Sequence, residues 1–360
     1  MRDLALTVRS VASRAVNAPL LRPLRTAVGT IPSASLVLID LAAHQGVLGR
    51  AYIFAYRPEA LGPLARLVQS IGEALKEKPV APLARMQELD RQFRLLGWHG
   101  LVGMAIAGLD MATWDALARA ADAPLVRLLG GEARACPAYD SYGVVDPSKD
   151  EAVLAQSVAS GFGGIKIKLG DGDLAQDVAT VKWAREVIGP SVQLMVDYNQ
   201  SLDPVEARRR IAAIAEYDIA WVEEPVHAKD LAGHAQVRAT SPVPIQMGEN
   251  WWFPRDMASA IAAGACDLAM PDVGKIGGIS GWLQASALAD SASLPLSSHI
   301  FNETSAHLLA VTPTAHWLEY LDVAGAVLTE GLRPVEGKVT ARGPGIGLDW
   351  DEAAVAKYSC

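Results

Sequence analysis

The chain has 360 residues, a formal net charge of −8, and 51% hydrophobic against 20% charged residues. That length and apolar share support a large core and more than one domain, and they exclude a disordered chain. The acidic balance excludes broad nucleic-acid binding and suits an enzyme of small molecules.

Cys136, Cys266 and Cys360 are far apart and show no CxxC spacing. This predicts reduced thiols and neither a zinc site nor a disulfide framework. No apolar signal-like region follows Met1, and no run of about 18 apolar residues occurs. The expectation is a cytoplasmic protein with no membrane partner.

In chain order, residues 4–16 read as a strand broken at Pro19 and Pro23, followed by a functional loop over residues 22–30. Ser35–Ala42 and Val47–Ala55 form a hairpin around Gln45-Gly46. Glu59–Lys76, Leu83–Leu95 and Leu101–Arg119 read as helices, the last apolar on most faces and buried where two domains meet. Strands followed by helices indicate a small α+β domain.

From about Ala135 strands and helices alternate. Strand-like runs end at Ser141, Lys168, Asp197, Glu223, Glu249, Asp272, His299 and Glu319, with steps from Lys168 onward of 29, 26, 26, 23, 27 and 20 residues. Helical runs at Leu174–Ile188, Pro204–Tyr217, Arg255–Ala263 and Ile279–Asp290 fill most gaps. Eight such units close a parallel barrel, whose polar strand ends carry the chemistry. An open doubly wound sheet fits less well, because no GxGxxG follows a strand. After Leu321 the pattern lapses into a tail with short strands at Val335–Val339 and Gly343–Leu348, expected to pack back on the first domain. The expected domains are 1–130 (α+β cap), 131–322 (barrel) and 323–360 (tail).

Four groups of residues carry chemistry. Asp197, Glu223 and Glu249 end neighbouring strands and offer an all-oxygen donor set, which suits Mg²⁺ rather than zinc. Lys166 and Lys168 share one face of Gly164-Ile165-Lys166-Ile167-Lys168-Leu169, and their repulsion makes one neutral amine easier to reach. Asp272 and His299 lie one strand apart, so the carboxylate can hold the imidazole as an acid/base dyad. Glu319 is either a fourth metal ligand or a protonated hydrogen-bond donor. Isolated, each has a blander reading as a rim ion pair, an edge-strand lysine or a structural histidine. Their shared strand-end positions argue for one site. His307 and His316 receive no role.

With these residues assembled, the chain resembles the enolase superfamily, mandelate racemase subgroup, and within it most closely the racemase that gives the subgroup its name. The carrying segments run almost end to end. They include Thr26-Ala27-Val28-Gly29-Thr30, Lys166-Ile167-Lys168, Val196-Asp197-Tyr198-Asn199, Glu223-Glu224-Pro225, Gly248-Glu249-Asn250-Trp251, Met270-Pro271-Asp272, Ser297-Ser298-His299 and His316-Trp317-Leu318-Glu319. The resemblance implies a capping α+β domain on a modified (β/α)7β TIM-type barrel, with one Mg²⁺ per subunit on Asp197, Glu223 and Glu249. It implies Lys168 as one base and His299, backed by Asp272, as the other. Lys166 would bind the substrate carboxylate, Glu319 would donate to it in protonated form, and Asn199 and Ser141 would be polar contacts. It also implies a homo-oligomer, an octamer in many similar enzymes.

Departures bear on the substrate. Ile167 replaces a small polar residue and points away from the site. Tyr142 replaces a histidine, and Arg22, Leu24, Arg25, Ile300 and Asn302 alter the rim. Leu24, Val28, Ile31, Phe54, Tyr56 and Ile300 suggest an apolar pocket for an aryl group. Arg25 reads as a solvated arginine and Tyr142 as a packed tyrosine. The expected activity is a racemase of a mandelate-like 2-hydroxy carboxylate, an isomerase working through an enolate. An acid-sugar dehydratase and a non-catalytic binding barrel are the alternatives.

Overall fold

The structure, a computed structural model, describes residues 5–26 and 29–360. The first three strands are β1 (Val8–Thr26), β2 (Gly29–Ala43) and β3 (Leu48–Phe54), in an antiparallel sheet of order β1-β2-β3. The first loop expectation is corrected here. Residues 22–30 do not form a free loop; β1 runs through Pro19 and Pro23, and pairing resumes from Leu24↔Ile31 to Thr26↔Gly29. Two causes allow it: β1 is an edge strand, and its register slips between Pro19 and Leu24, so the missing prolyl N–H groups break no regular ladder. Ala27 and Val28 lie outside the described residues.

Helices α1 (Pro58–Leu75) and α3 (Gly100–Ala120) cover this sheet, and α2 (Pro82–Gln92) packs on α3; α1 and α2 carry proline in their first turn, where no N–H is needed. Helix α3 is, by length and composition, apolar enough to cross a membrane, and it is the core helix between the cap sheet and the barrel. A short helix α4 (Leu125–Leu128) follows.

The barrel then runs β4 (Ala135–Val144), α5 (Glu151–Ala159), β5 (Gly164–Lys168), α6 (Leu174–Ile188), β6 (Gln193–Asp197), α7 (Pro204–Ile214), β7 (Ile219–Glu223), α8 (Leu231–Thr240), β8 (Ile245–Met247), α9 (Phe253–Ala262), β9 (Leu268–Ala269), α10 (Gly278–Ser291), β10 (Leu296–Ser298), α11 (Asn302–Ala310) and β11 (Ala315–Tyr320). Parallel pairing of β11 with β4, Glu319 opposite Tyr139, closes the ring. The chain is therefore a TIM-type barrel with an α+β cap. Asp173 and Asp203 cap α6 and α7 by accepting from the first free N–H groups, which explains why those helices start where the sequence placed them.

The tail meets both the barrel and the cap. Only β12 (Lys338–Thr340) is a strand there, and it pairs antiparallel with barrel strand β4, not with the cap. Residues 343–348 form no strand but pack on the cap, where Gly345 bridges to Pro124 and the Ile346 N–H donates to Asp115 Oδ1 at 2.5 Å. The contact with the cap continues further on, where Asp349 pairs with Arg50, Trp350 donates to Asp40, and Ser359 bridges to Val16. A last helix, α12 (Glu352–Tyr358), ends the fold.

Candidate active site

Each barrel strand brings at least one polar group to the same rim. Ser141 lies in β4, Lys166 and Lys168 in β5, Asp197 ends β6 and Glu223 ends β7. Glu249, Asp272 and His299 fall just beyond β8, β9 and β10, and Glu319 lies in β11. The parallel register sets Lys168 opposite Asp197 and Asp197 opposite Glu223. The sequence reading ended three of these strands too late, because two- and three-residue strands leave little apolar run to count.

The charges are buried and paired. Lys166 Nζ lies 2.9 Å from both oxygens of Glu223 and 2.7 Å from Glu319 Oε1. Lys168 pairs with Asp197. His299 holds Asp272 Oδ2 at 2.6 Å through Nδ1 and Glu249 Oε2 at 3.0 Å through Nε2. Burial opposes the imidazole's charge, but Glu249, Glu319 and Asp272 outweigh it and push His299 up to about 10. Burial likewise opposes the charge of Lys168, and repulsion from Lys166 adds to it, yet Asp197 keeps its pKa above the ordinary amine value. The lysine repulsion expected from the sequence is real and is outweighed.

For Glu319, the reading as a protonated donor meets a cationic neighbour, Lys166, at 2.7 Å. Burial favours its neutral form, but Lys166 and His299 hold it down to about 2. It accepts from Ser141 Oγ at 2.7 Å and from the Ile300 N–H at 3.1 Å. Glu319 thus anchors Lys166, with Ser141 as its support.

Asn199 donates to Asp197 from its backbone N–H at 2.6 Å and from Nδ2 at 2.9 Å. Its Oδ1 is buried without a hydrogen-bond partner. Leu24 and Ser141 line one cavity of about 400 Å³ under the hairpin tip. Phe54 and Ile300 are buried. Val28, another expected pocket residue, lies outside the described residues. Arg25 is not a purely solvated arginine, since it pairs with Asp150. Tyr142 is packed, under the Arg22 guanidinium at 4.1 Å, with its hydroxyl on Ser157 at 2.6 Å.

Whether these residues suit a divalent cation can be tested on their charge. Asp197, Glu223 and Glu249 stand at three consecutive strand ends, and all their donors are oxygen. Glu223 is pushed up to about 8 by burial and by Asp197, Glu319 and Glu249, even with Lys166 against it. The rim therefore carries more negative charge than its lysines offset, and Asn199 Oδ1 adds an unpartnered oxygen. Among the described residues no His, Cys, Asp and Glu group is already gathered as an ion cage, because each carboxylate is turned onto a cationic neighbour. The donor set fits a hard cation that would share those oxygens.

Several neighbours escaped the sequence reading. Glu224 accepts from Asn250 Nδ2 at 2.7 Å, and Asn250 Oδ1 accepts from Lys275 at 2.9 Å. Glu224 and Asn250 stood in segments that carried the resemblance, but residue type alone gave them no partner. Tyr56, taken for an apolar wall, donates its hydroxyl to Asp272 Oδ2 at 3.0 Å.

Comparison with known proteins agrees with this architecture. Residues 8–130 match the mandelate racemase / muconate lactonizing enzyme N-terminal domain, and residues 150–354 match the enolase C-terminal domain-like family. An enolase from Bradyrhizobium, solved in complex with magnesium and mandelic acid, superimposes with a TM-score of 0.97 at 57% identity, over 99% of each chain. The L-talarate/galactarate dehydratase of Salmonella typhimurium is 29% identical over 86% of this chain and 78% of its own length. The L-Ala-D/L-Glu epimerase of Bacillus subtilis is 29% identical over 86% of this chain and 84% of its own.

Proposed function

This chain belongs to the mandelate racemase / muconate lactonizing enzyme family, within the enolase superfamily, and from that premise we propose that it is a Mg²⁺-dependent racemase of 2-hydroxy carboxylates, with mandelate as substrate. The observation that carries this reading is the presence of two candidate bases at one rim. Lys168 ends β5 and His299 follows directly on β10, strands separated around the ring by β4 and β11. The 57% identical neighbour solved with magnesium and mandelic acid supports both the cofactor and the substrate class.

Removing a proton next to a carboxylate leaves an enolate dianion, whose charge must be met by groups placed in advance. Lys166, fixed by Glu223 and Glu319, presents its ammonium to the substrate carboxylate. Lys168 takes or returns the α-proton on one face, and His299 Nε2 does so on the other. Asp272 accepts from Nδ1, which leaves Nε2 as the reacting nitrogen. Removal on one face and return on the other inverts the centre. Asp197, Glu223 and Glu249 would hold Mg²⁺, which would supply positive charge for the dianion and offset the carboxylate charge beside Lys168. A lysine or histidine base beside Mg²⁺ is an established pattern of the superfamily.

The deciding experiment is incubation in D₂O with Mg²⁺ and either enantiomer of mandelate, read by proton NMR and optical rotation beside a chelated control. Metal-dependent loss of both the α-proton and the rotation is expected. Exchange without loss of rotation would defeat the racemase reading.

One observation favours a second reading, an acid-sugar dehydratase. The cavity under the hairpin tip is lined by the polar groups Arg25, Asp150 and Ser141 as well as by Leu24. Groups of that kind match hydroxyls. A 2-keto acid formed from any sugar acid in a panel decides for it.

A further inference from the structure

Tyr56 lies just past β3, in the cap, yet its hydroxyl reaches the barrel's acid/base dyad. It donates to Asp272 Oδ2 at 3.0 Å, the same oxygen that His299 Nδ1 holds at 2.6 Å. The other oxygen, Oδ1, accepts from the Gly274 N–H at 2.6 Å. Asp272 is 1% exposed, so these donors replace solvent in fixing its plane. The phenol is itself held on both sides. Its ring centroid lies 4.5 Å from that of Phe54 and 4.5 Å from Lys275 Nζ. Its backbone has φ +60°, a left-handed conformation that a bulky side chain adopts only where its surroundings compel it.

We propose that Tyr56 is a positioning residue for the base His299, acting through Asp272. The inference rests on the two-base reading above and deepens it. A carboxylate held by one donor can swing about its Cβ–Cγ bond, and the imidazole swings with it. With the Tyr56 and Gly274 donors in place, Asp272 can hold His299 in only one orientation, and Nε2 stays aimed into the site. Because the phenol comes from the cap, the dyad is complete only when the cap is seated on the barrel. Lys168 stands outside this chain of contacts, so the two bases depend on the cap unequally.

The test is a double-mutant cycle on the Mg²⁺-loaded full chain. Tyr56→Phe keeps the ring and removes only the hydroxyl. Against the native chain it is expected to lower mandelate racemisation about tenfold or more, the usual cost of removing an outer support, with KM within about twofold. In a His299→Asn background only Lys168 can exchange the α-proton, of one enantiomer. There the effect of Tyr56→Phe is expected to shrink below about twofold. Equal losses in both backgrounds would mean that the phenol merely shapes the pocket, and no loss in either would mean that it holds nothing; both overturn the proposal. A native chain that turns over no 2-hydroxy acid would defeat the racemase reading instead. The His299 Nδ1 proton in ¹H–¹⁵N spectra, recorded without substrate, then decides. A resonance displaced by Tyr56→Phe supports the coupling, and an unmoved one overturns it.

Discussion

Lys166 Nζ lies 2.9 Å from both carboxylate oxygens of Glu223, reaching past the intervening strand β6, and neither side chain is more than 1% exposed. A buried ion pair of this kind attracts strongly but loses much to desolvation. It is a preset charge arrangement more than a source of stability. Around it stand further buried carboxylates, and this surplus of negative charge sets the behaviour of the protein without metal.

Burial and neighbouring carboxylates raise Glu223 to about 8, and burial with Glu249 raises Glu224 to about 7. A carboxyl raised on folding binds its proton more tightly in the folded than in the unfolded state, so stability falls as pH climbs from the ordinary carboxyl range toward 8. His299, raised to about 10, contributes stability that is complete below its ordinary value of 6.5 and lost toward 10. Both trends point the same way. The chelated protein should melt at a lower temperature at pH 9 than at pH 6, and added Mg²⁺ should recover more at pH 9. Scanning fluorimetry reads this directly, and a flat profile would show that the rim charge is balanced.

Lys168→Ala and His299→Asn should each lower racemisation by at least about 10²-fold, the scale of general acid–base catalysis. Both should remain folded, because each leaves a carboxylate at a rim open to cation or water. Each variant should still exchange the α-proton of one enantiomer, and the two variants should act on opposite enantiomers. Full racemase activity in either variant would remove that residue from the mechanism.

Asp197→Ala should abolish the Mg²⁺-dependent rise in melting temperature. Asp177→Ala, whose buried carboxylate serves Arg210 and Tyr198 beyond the rim, should leave that rise in place while lowering the melting temperature itself. Isothermal titration with Mg²⁺ separates the two. Equal Mg²⁺ affinity in Asp197→Ala and the native chain would mean that the trio has been misassigned.

Gly143 packs directly under the hairpin tip. A Cβ there would meet the Arg25 backbone nitrogen at 2.6 Å, with the Arg25 carbonyl closer still. Gly143→Ala should therefore push the tip away from the cavity and raise KM for mandelate about tenfold, or ~1.4 kcal/mol. Melting temperature should change little. An unchanged KM would show that the tip does not shape the substrate pocket.

Cap and barrel meet where Asp110 of α3 accepts from the Ser280 N–H at 2.9 Å and its Oγ at 2.6 Å. Asp110→Ala strands that buried N–H and should cost ~1–3 kcal/mol. Urea unfolding measures it, and a native midpoint would place the domain junction elsewhere.

The sequence by itself determined the barrel and most of its rim. Apolar runs ending at Lys168, Asp197 and Glu223 coincide with strand ends because a buried parallel strand must stay apolar until it reaches the open mouth. It was less informative where strands are short, so Glu249, Asp272 and His299 were read as strand termini when they stand just beyond them. Pro19 and Pro23 looked like breaks, since nothing local says that β1 is an edge strand with a register slip. Only the tertiary structure decided what each polar group holds. That Glu319 lies beside Lys166, that Arg25 meets Asp150, and that Tyr56 reaches Asp272 across 216 positions are facts of distance between separate elements. Residue type and periodicity fix which face of its own element a side chain occupies. They leave open the group it meets across the cap–barrel junction, because that depends on how the two packed bodies sit together.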